Sequence, residues 1–129
     1  METTTIWKSN NAFTSQYKTS SIEIDGDGFS PKALLLTGLA GCTGIDLVSL
    51  LEKMRVPFGG IEISVQTETT TEHPKVFQDI HVVYKVKTGE ENRDKVKKAI
   101  DLSLEKYCGV AAMLQKNSPI DYTIELIAE

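Results

Sequence analysis

The sequence predicts an α+β fold, and three observations carry the prediction. A run from Ser30 to Arg55 is apolar on nearly every side through its middle, Leu34 to Val48, and has helix signals at both ends. Two stretches, Ile61 to Gln66 and Ile80 to Lys87, alternate apolar and polar residues with the period of half-buried strands. From Glu91 to Tyr107 the spacing becomes helical again, with a single apolar stripe. Runs of strands and runs of helices in this order predict antiparallel sheet with helices over one face. The 129 residues are read as one domain, long enough to bury about two thirds of the unfolded surface without disulfides or a metal.

Taken in order, Thr4 to Lys8, Ala12 to Tyr17 and Ser21 to Ile24 are short β-branched or aromatic stretches separated by polar residues, the pattern of a three-stranded meander. Asp25-Gly26-Asp27-Gly28 is a turn delivering the chain to the long helix. Ser30 is its expected N-cap and Pro31 its first helical residue, where a missing N–H costs nothing. Lys53 and Arg55 suit the negative end of the helix dipole, and Pro57 with Gly59-Gly60 stops the run. At 1.5 Å per residue the helix spans roughly 35–40 Å, so it is expected to be the axis of the fold, buried all round. Gly38, Gly41 and Gly44 recur every three residues along it, each costing up to about 1 kcal/mol relative to alanine. Such a stripe predicts close approach of another backbone, for instance the same helix of a second subunit.

Beyond the helix, Ile61, Ile63 and Val65 predict one strand and Ile80, Val82, Tyr84 and Val86 the next, with Glu72 to Lys75 in the connecting hairpin. His73 is then a turn residue and His81 a solvated strand residue. Val96, Ala99, Ile100, Ser103, Leu104 and Tyr107 form the stripe of an amphipathic helix that Gly109 is expected to cap. Val110 to Leu114 adds one or two helical turns, and Ile120, Tyr122, Ile124 and Leu126 alternate as a last strand. The predicted order is βββ-α-ββ-αα-β.

Composition narrows the function. Eighteen acidic against fourteen basic residues leave a net charge of −4 with no basic run, which disfavours nucleic acid and acidic membranes as partners. The segment Ala33 to Leu51 approaches membrane-span length, but Asp46 at its middle argues for a soluble helix. The first five residues carry no basic stretch leading into an apolar one, so the expectation is a cytoplasmic protein without a signal peptide. Two cysteines make no secreted disulfide framework, and the absence of C-x-x-C or H-x-x-x-H spacing disfavours a zinc site. Chemistry therefore concentrates on Cys42 at the centre of the long helix, with Asp46 one turn beyond it on the same face. A carboxylate there needs a hydrogen-bond donor, and backbone or hydroxyl groups are expected to supply it. Neither histidine has a spacing that brings a base to the thiol, which weakens a Cys-His acyl-transfer reading.

Ser30-Pro31-Lys32-Ala33-Leu34-Leu35-Leu36, Gly38-Leu39-Ala40-Gly41-Cys42-Thr43 and Glu105-Lys106-Tyr107-Cys108-Gly109-Val110-Ala111 together resemble the signatures of the osmotically inducible protein C (OsmC) family, which includes the organic hydroperoxide resistance proteins. The resemblance covers essentially the whole chain. It implies an OsmC-like intertwined homodimer with the long helices packed at its centre. It also implies a thiol-dependent peroxidase for small organic hydroperoxides in oxidative stress defence, with Cys42 peroxidatic, Cys108 resolving, an external dithiol as reductant and no cofactor. Well-studied branches place a glutamate ten residues before the peroxidatic cysteine, paired with an arginine from the N-terminal region. Here that position is Lys32, and no arginine precedes Arg55, which leaves Lys18 as the candidate supporting cation. The alternative is a non-catalytic OsmC-like protein that holds a small apolar ligand at the dimer interface.

Overall fold

A computed structural model describes residues 1–128 and separates two compact units, Met1–Leu36 and the chain from Thr37 on. In the first unit, β1 (Thr4–Ser9), β2 (Ala12–Tyr17) and β3 (Ser20–Asp25) pair as the expected antiparallel meander. Its two tight turns place Asn10 and Lys18 in the left-handed region, at φ 46° and 54°. The Asp25 side chain accepts from the Asp27 N–H, so the Asp-Gly-Asp-Gly turn closes on itself before the helix begins. Ser30 caps the helix as expected, its Oγ accepting the Ala33 N–H at 3.2 Å.

Helix α1 runs from Pro31 to Lys53, continuous across the junction at Leu36. Only one stripe of it is buried, Leu39, Thr43, Leu47 and Leu51. The expectation of a helix buried all round is therefore corrected for the single chain: Ile45 is 74% exposed and Leu35 51%. A three-stranded sheet covers one face of a helix and no more. Nor do the described residues supply the neighbour anticipated at Gly38 and Gly41, where an added Cβ would meet nothing within 4 Å. At Gly44 it does, since a Cβ there would lie 3.1 Å from Ile63 Cδ1. Arg55 lies just past the last turn, at φ 59°, where the Val56 N–H reaches back to the Leu51 carbonyl and the Arg55 N–H to that of Glu52.

In the second unit, β4 (Ile61–Thr69), β5 (Phe77–Lys87) and β6 (Ile120–Ile127) form a sheet with β5 central. Ile80, Val82, Tyr84 and Val86 of β5 are fully buried, as their alternation predicts. β4 and β5 are antiparallel, but β6 lies parallel to β5, pairing Ile80 with Ile120 and Val86 with Leu126. The expectation of purely antiparallel sheet is thus corrected. Alternation of period two is the same in either direction, and only the helical crossover from Thr88 to Pro119 returns the chain to the end of the sheet from which β5 started.

That crossover contains α2 (Arg93–Leu102), with Val96, Ala99 and Ile100 buried, and α3 (Gly109–Gln115). Between them Ser103–Tyr107 winds as a single π-helical turn, closed by the Cys108 N–H on the Ser103 carbonyl at 2.7 Å. Because a π turn takes in an extra residue, the stripe drifts off the core, and Tyr107 emerges half exposed. Gly109 is not the expected C-terminal cap. No glycine among the described residues has positive φ; Gly109 opens α3, and Cys108, extended at φ −81° and ψ 101°, is its N-cap.

Candidate functional site

The second unit gathers Cys42, Asp46 and Cys108. The two sulfurs and a carboxylate oxygen all lie within 4.8 Å of one another, and both cysteines are free thiols. Cys42 and Asp46 stand one turn apart on a flank of the buried α1 stripe, each half-buried. The π turn and the extended residue after it bring Cys108 to them, with its side chain under α3 and its Sγ accepting the Ala111 N–H at 3.3 Å. Cys108 is the more buried thiol, at 3% exposure, and Cys42 the more accessible. The long separation in sequence, 42 to 108, hides a contact that the α1 flank and the π turn make.

Asp46 finds the donor it needs. Ser103 Oγ–H donates to Asp46 Oδ2 at 2.9 Å, and the chain continues inward through Thr43 Oγ1, 2.8 Å from Ser103 Oγ, to the Tyr84 hydroxyl, 2.8 Å from Thr43. The carboxylate at one end accepts only, and each hydroxyl has one proton. The donors must therefore run Tyr84 to Thr43 to Ser103 to Asp46. Burial pushes the Tyr84 phenol up to about 12, which keeps it a donor at any physiological pH. Thr43, Ser103 and Tyr84 are the positions behind the cluster that periodicity hides: all three occupy core-facing slots of their elements, and their being polar there was the available signal.

Burial also pushes the Cys108 thiol from an ordinary 9.0 up to about 11, reinforced by the adjacent Cys42 sulfur and the Asp46 carboxylate and opposed by the Ala111 N–H. The folded state thus favours the neutral thiol. Its contribution is fully present below about pH 9 and is lost as pH rises through about 11. We expect the difference in melting temperature between the wild type and Cys108→Ala to change little from pH 7 to 9 and then to shift against the wild type up to pH 11. A difference constant over the whole range would contradict the raised value.

Lys18 belongs to the first unit, at the β2–β3 turn, with its Nζ 5.3 Å from the centre of the Tyr17 ring. Lys32 is exposed in the first turn of α1. His81 is tied on the outer face of the sheet, Nδ1 to Asp121 Oδ1 at 2.7 Å and Nε2 to Thr123 Oγ1 at 2.8 Å, so it is a bonded strand residue rather than a merely solvated one. His73 falls in the β4–β5 connection, as expected. On the other flank of the α1 stripe, Gly41, Gly44, Ile45 and Val48 form with Ile61 and Ile63 an open apolar groove of about 580 Å³, and neither cysteine lines it.

Comparison with known proteins agrees with this fold. The family model for OsmC-like protein matches residues 24–123. Protein YhfA of Escherichia coli (strain K12) is 39% identical over 100 residues, covering 77% of this chain and 74% of its own. A crystal structure of a hypothetical protein from Aquifex aeolicus VF5 superposes with a TM-score of 0.91 at 28% identity, over 99% of this chain and 96% of that one. The organic hydroperoxide resistance protein OhrB of Bacillus subtilis shares the fold at a TM-score of 0.61 and 19% identity, over 98% and 96% of the two chains. On the match of the family model over residues 24–123 and the likeness to protein YhfA, the chain belongs to the OsmC-like protein family.

Proposed function

We propose that this protein is a cysteine-based peroxidase that reduces small organic hydroperoxides, with Cys42 as the peroxidatic and Cys108 as the resolving residue. The observation that carries the reading is the pair of free thiols within 4.8 Å, one accessible and one buried. The name of its structural relative OhrB, an organic hydroperoxide resistance protein, points to the same substrate class. Cys42, as thiolate, attacks the terminal oxygen of R–O–OH; the S–O bond forms as the O–O bond breaks, and the departing alkoxide takes a proton from water to become the alcohol. Cys108 gives up its proton and attacks the sulfenic sulfur, so that an S–S bond forms and the hydroxyl leaves as water. An external dithiol then returns both sulfurs to thiols and is itself oxidised to a disulfide, with no cofactor needed. Ser103 holds the Asp46 carboxylate in place beside the pair.

The test is mass spectrometry after one equivalent of cumene hydroperoxide, with free thiols blocked before digestion. A Cys42–Cys108 linked peptide is expected, and it should be absent from Cys108→Ser. If neither cysteine is modified at peroxide levels that oxidise ordinary exposed thiols, the proposal fails.

The second reading, a module that binds an apolar ligand without turning it over, draws on the 580 Å³ groove along α1. Saturable binding of an apolar fluorescent probe with added peroxide unchanged would favour it. In either case we propose that the working form is a cytoplasmic homodimer. Ile6, Trp7, Leu35 and Ile45 are apolar and half or more exposed in the single chain, and α1 presents Gly41 to open space. Thr43 and Asp46 on this helix are bonded to protein hydroxyls, which supports a soluble helix over a membrane span. Sedimentation should show a dimer; a monomer at micromolar concentration would remove this part of the proposal.

A further inference from the structure

We propose that Cys42, Asp46 and Cys108 also form a binding site for a thiophilic divalent cation, zinc above all. The inference uses the side chains of the peroxidase reading but none of its redox chemistry. Two sulfurs and a carboxylate oxygen are a donor set suited to zinc, since thiolates select it over magnesium and calcium. Tetrahedral zinc, with bonds of about 2.3 Å to sulfur and about 2.0–2.2 Å to oxygen, needs its donors roughly 3.5–3.8 Å apart. The three donor atoms already lie within 4.8 Å of one another, so at most about an ångström of movement closes the site.

The surroundings fit as well as the donors. Ser103 Oγ–H donates to Asp46 Oδ2, and the Tyr84–Thr43–Ser103 chain behind it fixes the carboxylate's orientation while leaving it lone pairs for a metal. The Ala111 N–H on Cys108 Sγ is a bond that a metal-bound thiolate keeps. Cys42 and Asp46 are half-buried, giving an entry path and room for water as a fourth ligand, while Cys108 closes the inner side. Binding expels one proton from each thiol, and the two thiolates and the carboxylate together carry −3 against the +2 of the ion. Occupancy takes up both sulfurs, so metal binding and a Cys42–Cys108 disulfide exclude each other. The motif is invisible as spacing because two ligands are one helical turn apart and the third lies beyond the whole β4–β5 hairpin.

The experiment titrates reduced, chelator-treated protein with zinc against a chromophoric competitor and follows cobalt binding by absorption. One zinc per chain is expected. Cobalt should give the intense visible bands of a tetrahedral site with thiolate charge transfer in the near ultraviolet. Cys42→Ser and Cys108→Ser should each weaken zinc binding at least about 100-fold and Asp46→Asn about 10–100-fold, whereas His81→Ala should change nothing. Less than half an equivalent of zinc, weak octahedral cobalt bands, or cysteine variants that bind like the wild type would each overturn the site. The cobalt spectrum of the wild type decides the matter even if a variant fails to fold. Peroxide turnover, measured separately on metal-free protein, decides the peroxidase reading whichever way zinc binding falls.

Discussion

Replacing Cys42 with alanine should lower organic hydroperoxide turnover by at least about 10³-fold, because the thiol that remains in the cluster, Cys108, is buried and burial favours its neutral, unreactive form. The contrast with Cys108→Ser makes the result diagnostic. That variant keeps the attacking thiol, so one equivalent of peroxide should be consumed per chain in a single burst. Without a second sulfur to condense with, Cys42 then stops at sulfenic acid or oxidises further, and steady turnover on a dithiol reductant falls. Stopped-flow consumption of cumene hydroperoxide separates the two variants by burst amplitude. Equal loss of the burst in both would deny the division of labour, and a Cys42→Ala variant that still turns over would place the chemistry elsewhere.

The second large effect concerns stability. Thr43→Val keeps the shape of a fully buried side chain and removes its hydroxyl, leaving the Tyr84 phenol without an acceptor and the Ser103 oxygen without a donor. Each unsatisfied buried polar group costs about 1–3 kcal/mol, so the variant should lose roughly 2–4 kcal/mol and about 10 °C in melting temperature. Tyr84→Phe removes only the first donor of the chain, and Thr43 still donates to Ser103. Its cost should be nearer 1 kcal/mol. Denaturant unfolding of the two variants side by side checks the direction of the chain. If Tyr84→Phe proves as costly as Thr43→Val, the donors do not run from Tyr84 towards Asp46.

The same residues show how far sequence reading reaches. Period-two alternation marked Ile80, Val82, Tyr84 and Val86 as one buried face because in a strand the side-chain direction is a local property of the backbone. The Ser30 cap and Pro31 start were legible for the same reason: a helix end is decided within four residues. The π turn at Ser103–Tyr107 was not, since nothing in Ser-Leu-Glu-Lys-Tyr distinguishes it from another α turn, and its extra residue both exposes Tyr107 and aims Cys108. With that turn in place, Cys108 is the buried thiol and Cys42 the accessible one.

The amino-acid sequence by itself determined the elements, their order, the long helix with Cys42 at its centre, and, through the residues around both cysteines, the family. These follow from local periodicity, capping and spacing, which the chain carries from residue to residue. Only the tertiary structure decided that β6 runs parallel to β5, that α1 buries a single stripe, and that Cys42, Asp46 and Cys108 meet behind a hydroxyl chain from Tyr84. Those outcomes depend on where a crossover lands and which faces meet. Both are set by the packing of elements far apart in sequence, and no local pattern records them.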